Sequence, residues 1–223
     1  MKVMRTKSFL MGAFVVGWVG CGPSPTQDAR VRTLENAIEI PAVFSPQGFE
    51  ENEHMPGYHF IVWEGGRSAN HSLFRTPVTD VQVLDALESL GAMPGNALNT
   101  GTWEERENAD SDAADKVIEG PRIEIEIRVP GRSEPLTMDD ILEDPGGKGF
   151  DMRFGGHRDN IPEWRSGCVV CLYSCPGSKV GNASYTVRDF VKGTTRFRLR
   201  PGVLPEDGTE VTVVFQLKDS GPR

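Results

Sequence analysis

The residues with the clearest capacity for chemistry in this 223-residue chain are three cysteines in one short segment. Cys168, Cys171 and Cys175 have the spacing Cys-x2-Cys-x3-Cys, and Pro176 follows directly. Thiols this close in sequence can form a disulfide, ligate a metal ion or bind an iron–sulfur cluster. The choice depends on the compartment, because disulfides persist in oxidising compartments and are rare in the cytosol.

The fourth cysteine, Cys21, indicates the compartment. Three basic residues precede an apolar run over residues 9–19. This pattern is typical of a signal peptide, and the run is shorter than the about 20 residues of a membrane-spanning helix. The next residues, Trp18 to Cys21, resemble the lipobox of bacterial lipoproteins, whose cysteine is acylated and becomes the mature N-terminus. The resemblance implies lipidation at Cys21, and two or more acyl chains anchor a protein stably in a membrane.

These N-terminal features predict the domain organisation and the location. We expect a signal peptide over residues 1–20, a lipidated tether over 21–33 and one domain over 34–220. Gly22 after the cysteine, rather than Asp, is compatible with sorting to the outer membrane, so the protein is expected in the bacterial envelope, facing the periplasm. Without residues 1–20 the chain has 21 Lys and Arg against 32 Asp and Glu, a net charge of −11. This charge disfavours nucleic acid as a partner and leaves the lipid anchor at Cys21 as the membrane contact.

A disulfide is the first interpretation of the remaining cysteines. Three thiols are left once Cys21 is lipidated, an odd number that favours one disulfide with a free thiol, or three metal ligands. The oxidising compartment favours the disulfide, with no bound cofactor. Cys168 can pair with Cys171 or with Cys175, because the free energies of closing the two loops differ little.

Metal binding is the alternative for the same segment. The bacterial ferredoxin run is C-x2-C-x2-C-x3-C-P, and the three cysteines match its last three, with Arg165 at the position of the first. The N-terminus has one Arg rather than a twin-arginine signal, so the chain is expected to be exported unfolded, without a preassembled cluster. Zinc needs four ligands, and His157 is the candidate fourth, with the role of a polar turn residue as its alternative.

Other catalytic signatures are absent from the sequence. It has no Gly-x-Ser-x-Gly, no His-Glu-x-x-His, no phosphate-binding loop and no dinucleotide fingerprint, so an enzyme is not favoured. His71, between a strand with a glycine turn and a helix, is a candidate functional residue, and a structural hydrogen-bonding role is its alternative. The sequence therefore predicts a module that binds a protein or small molecule and carries a disulfide-containing cysteine loop. The alternative function is electron transfer or metal binding through Cys168, Cys171 and Cys175, as an iron–sulfur or zinc protein.

The elements that must position these residues are strands and one clear helix. Apolar patterns predict strands over residues 34–44, 58–63, 123–129, 194–201 and 209–219, and Pro41 either limits the first to a sheet edge or ends it. A helix capped by Thr79 or Asp80 is predicted to end at Gly91, with its core face at Val81, Leu84, Leu87 and Leu90.

Two further patterns complete the expected fold. Residues 99–120 are rich in acidic side chains and predict a solvated loop or hairpin insertion. Glu124 and Glu126 on one strand are expected to pair with Arg196, Arg198 and Arg200 on another. The sum is an α+β domain, a mostly antiparallel β-sheet with one or two helices packed on one face.

The segment from Tyr58 to Gly95 also resembles the YdjY family of bacterial exported proteins. The similar features are a strand, a Gly-Gly turn, His71 followed by Ser-Leu-Phe, the Asp-Ala-Leu-Glu-Ser-Leu-Gly helix and a Pro-Gly turn. The Arg-Phe-Gly-Gly at residues 153–156 corresponds to a later motif of that family. The resemblance implies an exported α+β domain, and some family members are described as ferredoxin-like, which agrees with the cysteine run.

Overall fold

The computed structural model describes residues 31–108, 110–112 and 114–218, without the side chains of residues 106 and 107. The predicted signal peptide, Cys21 and most of the predicted tether lie outside this range. The described part has the predicted α+β fold, with a large, mostly antiparallel sheet and short helices.

Twelve strands occur in the described part of the chain. They are β1 Arg32–Thr33, β2 Ala37–Phe44, β3 His59–Trp63, β4 Ser72–Thr76, β5 Ile123–Arg128, β6 Leu136–Thr137, β7 Leu142–Glu143, β8 Met152–Phe154, β9 Cys168–Cys171, β10 Val180–Asn182, β11 Arg198–Leu199 and β12 Glu210–Leu217.

Six α-helices accompany these strands in the same range. They are α1 Gln47–Glu50, α2 Asp80–Ser89, α3 Thr100–Glu107, α4 Met138–Ile141, α5 Ile161–Trp164 and α6 Val187–Lys192, with 3₁₀ turns at Ala69–His71 and Arg158–Asn160. Among the described residues, none of these helices has the length and apolar character that crossing a bilayer requires.

Ten strands form one sheet in the order β6-β5-β12-β2-β4-β3-β9-β10-β8, with β1 paired to β2. Most neighbours are antiparallel, while β3 with β4 and β9 with β10 are parallel. An antiparallel bridge between Arg122 and Arg153, with Phe154 N–H donating to Pro121 O at 2.9 Å, joins β8 to the start of β5. The sheet therefore curves round until its two sides meet, and apolar side chains of most strands share one buried core.

Strand β2 lies inside the sheet and continues through Pro41, so the expectation that Pro41 confines the strand to an edge or ends it is wrong. One edge of β2 pairs with β12. The other edge pairs first with β1, at Ile38 and Glu39, and then with β4, at Val43 and Phe44. Pro41 lies between these two partners, where its missing N–H costs no ladder bond on that side. Its carbonyl accepts a hydrogen bond from Thr76 Oγ1 at 2.7 Å.

Helix α2 begins as predicted. Thr79 is the N-cap and forms a capping box with Gln82, whose backbone N–H it accepts. The buried apolar face consists of Val83, Leu84 and Leu87, whereas Val81 and Leu90 are only partly buried. The face therefore follows the three- and four-residue spacing of a helix rather than the strict three-residue steps expected from the sequence.

The predicted arginine strand is mostly not a strand. Only Arg198–Leu199 pairs, with β7 in a separate two-stranded sheet. Strand β5 instead lies between β12 and β6, so the expected pairing of Arg196, Arg198 and Arg200 with its glutamates is wrong. Glu124 forms its ion pair with Lys218, at 2.6 Å.

The acidic segment 99–120 contains helix α3, where a loop or hairpin was predicted. Asn99 caps the helix in a capping box with Thr102. Trp103 packs its ring edge against the Trp164 ring, with centroids 4.8 Å apart. The helix thus has an apolar attachment to the domain despite its acidic surface.

Candidate metal centre

The cysteine segment lies inside the large sheet, on a strand with a neighbour on each side. Cys168–Cys171 is strand β9, between β3 and β10, and all four of its residues are buried. Two glycines allow the chain to reach this position, because Gly66 and Gly167 pack against each other with no room for a Cβ atom. A Cβ on Gly167 would lie 2.6 Å from Gly66 Cα, and its φ of +68° also favours glycine.

A β-bulge brings Cys168 and Cys171 to the same place. In a regular strand, residues three apart point to opposite faces of the sheet. Opposite β9, Val62 pairs with Cys168 and Ile61 with Val170, which leaves Val169 as an extra residue. The bulge reverses the alternation beyond it, so both thiols can meet on one side.

His59 supplies an imidazole to the two thiols. It lies directly across from Cys171 in the β3–β9 pair, and cross-strand partners share a face. Its Nδ1 is 3.6 Å from Cys171 Sγ. One ligand atom from each of His59, Cys168 and Cys171 lies within 4.8 Å of the other two. This is a compact group of nitrogen and sulfur donors of the kind that binds soft and borderline metal ions.

Cys175 joins the group from the turn after β9. Pro176 and Gly177 form this turn, closed by Ser178 N–H donating to Cys175 O at 3.2 Å. The turn brings Gly177 N–H within 3.4 Å of the Cys175 sulfur, and the Cys171 thiol contacts the same sulfur from the strand. The donors of His59, Cys168 and Cys171 thus lie within 4.8 Å of one another, and Cys175 lies beside Cys171.

Burial affects these groups differently. Burial raises the pKa of the Cys168 thiol and, with the neighbouring thiols, raises the pKa of Cys171 well above its usual value. Burial by itself would raise the pKa of Cys175. Hydrogen bonds from the Cys171 thiol and the Gly177 N–H lower this pKa by more, so it lies below its usual value. Burial, with the nearby His71, lowers the pKa of His59 to about 4. His59 is therefore neutral at physiological pH, the form in which an imidazole ligates metal.

Two further buried polar groups lie beside the thiols. The Tyr58 hydroxyl lies against the Cys175 sulfur and has no other partner within the part of the chain that the structure describes. Lys179 is buried, with its Nζ donating to Gly177 O at 3.2 Å and 3.7 Å from Asp80 Oδ2. Tyr58 is held by stacking on Tyr173, with ring centroids 4.8 Å apart.

The structure holds Cys168, Cys171 and Cys175 as free, buried thiols. The disulfide expected from the sequence is therefore not formed among them here. The segment is instead ordered by its place in the sheet, between β3 and β10.

His157 is not beside the thiols. Its Nε2 accepts from Leu98 N–H at 3.3 Å, and its Nδ1 is 3.1 Å from Ser178 O, so both ring nitrogens have partners. Burial lowers its pKa to about 4. The histidine whose ring contacts a thiol in the described chain is His59.

His71 lies on the surface, at the end of a 3₁₀ turn, close enough to affect the charge of His59. It borders an open pocket of about 430 Å³ with residues of α1 and the following loop, among them Glu51 and His54. His71 is thus near the candidate centre without being part of it.

Sequence reasoning missed His59, Tyr58 and Lys179 as members of the centre. Tyr58 and His59 stand in the predicted strand 58–63, far from the cysteines along the chain, and only the strand pairing brings them together. No sequence feature indicated that Lys179 belongs to the candidate centre, because an isolated lysine normally lies on the surface.

Comparisons with known proteins agree with the extent of this domain. The family model described as the YdjY domain matches residues 30–216. A protein of Escherichia coli (strain K12), described as "Uncharacterized protein YdjY", is 33% identical over 162 residues, which cover 72% of this chain and 68% of that protein. No solved structure matches the chain significantly. The matched range includes every member of the candidate centre.

Proposed function

This chain belongs to the YdjY domain family, as its sequence indicated, and we propose that it is a metal-binding protein. The proposed ligands are His59, Cys168, Cys171 and Cys175, around a single ion. Zinc is the ion whose ligand preferences fit this set best, because structural zinc sites take four Cys or His ligands in a tetrahedron.

One distance carries the proposal. Metal–sulfur bonds of about 2.3 Å and metal–nitrogen bonds of about 2.0–2.1 Å in a tetrahedron separate the two ligand atoms by about 3.6 Å. The distance from His59 Nδ1 to Cys171 Sγ is 3.6 Å. The donors of His59 and Cys171 are thus already separated as one ion requires, and Cys168 lies within 4.8 Å of both.

The same compactness favours a single ion over an iron–sulfur cluster. In a four-iron cluster each cysteine binds a different iron atom, which spreads the ligand atoms more widely than one shared ion does. The fourth donor here is an imidazole, which suits zinc, and the ferredoxin run's first cysteine is replaced by Arg165.

Protonation gives the proposed binding a measurable signature. Metal binding requires thiolates and a neutral imidazole. Burial lowers the pKa of His59, so it needs no deprotonation, whereas burial raises the pKa of Cys168 and Cys171, which bind as thiolates only by losing their protons. We expect metal binding to release protons to the solvent.

The proposal includes a place in the cell envelope. The lipobox resemblance at Cys21 supports a lipid anchor, and the family match begins only at residue 30, beyond the signal peptide and most of the tether. A metal site in this compartment would be filled after export.

A disulfide-containing binding module is the second candidate function. Cys171 contacts both Cys168 and Cys175, so the same thiols can pair under oxidising conditions when no metal protects them. In the first candidate the three thiols are reduced, and in the second two of them are joined in a disulfide. The number of thiols that react with an alkylating reagent therefore distinguishes the two.

The test uses the Cys21→Ser variant, which leaves three cysteines. The protein is purified without oxygen, its metals are measured, and its thiols are alkylated after denaturation with chelator, with and without reductant. We expect one zinc ion per chain and three reactive thiols without reductant. One reactive thiol that becomes three on reduction, with no metal, would replace the metal centre by the disulfide module. Stoichiometric iron with labile sulfide and visible absorption would replace the zinc ion by a cluster.

A further inference from the structure

Lys179 is an unusual component of the protein core. Only 1% of the residue is exposed, and lysine is almost never fully buried unless it is paired. Its Nζ donates to Gly177 O at 3.2 Å, in the turn that carries Cys175. Its carboxylate partner, Asp80, is also buried and lies 3.7 Å away, beyond hydrogen-bond distance.

The carboxylate of Asp80 has a second interaction that Lys179 does not share. Asp80 is the first residue of α2, and Val81 N–H donates to its Oδ1 at 3.0 Å. The helix N-terminus, which carries a partial positive charge, therefore takes up part of the carboxylate charge. The pair with Asp80 consequently leaves part of the ammonium charge uncompensated within the core.

The uncompensated charge of Lys179 acts on the thiols. Lys179 interacts electrostatically with all three cysteines, and Asp80 acts on Cys168 in the opposite sense. Lys179 is also the most deeply buried lysine or arginine of the described chain. The thiols therefore lie in the field of one cation, and Cys168 also lies in the field of one anion.

The proposed centre needs such a cation. A divalent ion with three thiolates and a neutral imidazole has a net charge of −1, and a buried net charge is costly unless an opposite charge lies near it. Lys179 supplies one positive charge on the same side of the core. Its hydrogen bond to Gly177 also fixes the turn that presents Cys175.

We infer that Lys179 is the counter-cation of the proposed metal centre and a positioning residue for it, and that Asp80 limits its effect. The inference rests on the proposed function and adds to it the residue pair that sets how tightly the protein holds its metal. Lys179 does not ligate the ion; it stabilises the anionic ligand set and holds the loop of Cys175.

The charges of the two residues predict opposite effects on metal affinity. Lys179→Met removes the cation and should weaken metal binding, on the order of tenfold or more for a unit charge several ångströms away. Asp80→Asn removes the competing anion and should tighten binding, by a factor of roughly two to ten. A purely structural ion pair would make both variants bind metal more weakly, so the sign of the Asp80→Asn effect distinguishes the two roles.

The experiment is a chelator competition with zinc, and with cobalt for its visible spectrum, on the folded full-length chain. Lys148→Met is the matched control, because Lys148 is an exposed lysine paired with Asp189, 3.1 Å away, and should leave affinity unchanged. Lys179→Arg keeps the charge and should retain most of the affinity if the core accepts its size.

The outcomes distinguish failure of the proposed function from failure of the inference alone. If the unmodified protein binds no metal, the proposed function fails and the inference fails with it. If it binds metal but Asp80→Asn does not tighten binding, the inference alone is overturned. The Asp80→Asn arm decides the matter even if Lys179→Met does not fold.

Discussion

His59 and His157 show that burial alone does not make a histidine a ligand. Burial lowers the pKa of each to about 4, so both are neutral at physiological pH. The two rings differ in what their nitrogens contact. His157 has a backbone partner at each nitrogen, whereas His59 turns Nδ1 toward the Cys171 sulfur. The contact with a thiol, rather than the residue type or its spacing, makes His59 the proposed fourth ligand.

A pair of matched substitutions tests this assignment. His59→Ala should weaken zinc binding by at least about 100-fold, because it removes a direct ligand, and loss of an outer-sphere partner already costs 10- to 100-fold. His157→Ala should keep the metal, although the loss of two hydrogen bonds will lower the free energy of unfolding. Chelator competition measures both affinities. Loss of metal from His157→Ala with retention in His59→Ala would support the ligand set expected from the sequence.

The sequence located three of the four proposed ligands, for a physical reason. Cysteine spacing is visible along the chain, so the three thiols were found. His59 and Lys179 reach the thiols through strand pairing and a turn, and neither has a local signal. A lone histidine in an apolar strand becomes informative only once the register opposite Cys171 is known.

Among the elements, the alternating strand β5 was predictable and β9 was not. Strand β5 alternates buried and exposed residues, and its sequence alternates with it. Strand β9 has neighbours on both sides and is buried throughout, so its four residues show no alternation to detect. Its bulge at Val169 depends on pairing with β3 and is likewise invisible in one sequence.

Helix α3 was missed although its signal was present. The prediction of a loop or hairpin over residues 99–120 rested on the many acidic side chains, which are typical of solvated loops. The capping pair Asn99 and Thr102 stands directly before Trp103, the apolar residue that attaches the helix to Trp164. Capping boxes usually pair Ser or Thr with Glu or Gln, so this variant is easily overlooked.

Helix α2 provides a stability prediction at the scale of the element. Leu87 is fully buried on its inner face, so Leu87→Ala should lower the free energy of unfolding by about 2–5 kcal/mol. Leu90→Ala, at the partly exposed C-cap, is the matched control and should cost clearly less. Urea unfolding measures both. A loss below about 0.5 kcal/mol for Leu87→Ala, typical of surface sites, would contradict the packing of α2 on the sheet.

At the scale of the whole molecule, the proposed lipidated tether would limit how far the domain can lie from the membrane. The family match begins at residue 30, and the proposed anchor is at Cys21. Ten residues of fully extended chain span at most about 35 Å, so an anchored domain remains close to the bilayer. The net charge of −11 on the chain after residue 20 opposes close contact with an anionic surface. The combination favours a domain held near the membrane by its anchor alone.

This dependence on a single anchor leads to the prediction for the whole protein. Cys21→Ser removes the acylated sulfur and should move the protein from the membrane fraction to the soluble periplasmic fraction, because the acyl chains supply about 0.8 kcal/mol for each buried methylene. Ser24→Ala, in the same tether, is the matched control and should remain in the membrane fraction. Cell fractionation with immunoblotting measures the distribution, and mass spectrometry of the N-terminal peptide identifies the lipid. If the Cys21→Ser protein still sediments with membranes and needs detergent for release, the lipobox interpretation is wrong and another part of the chain holds it there.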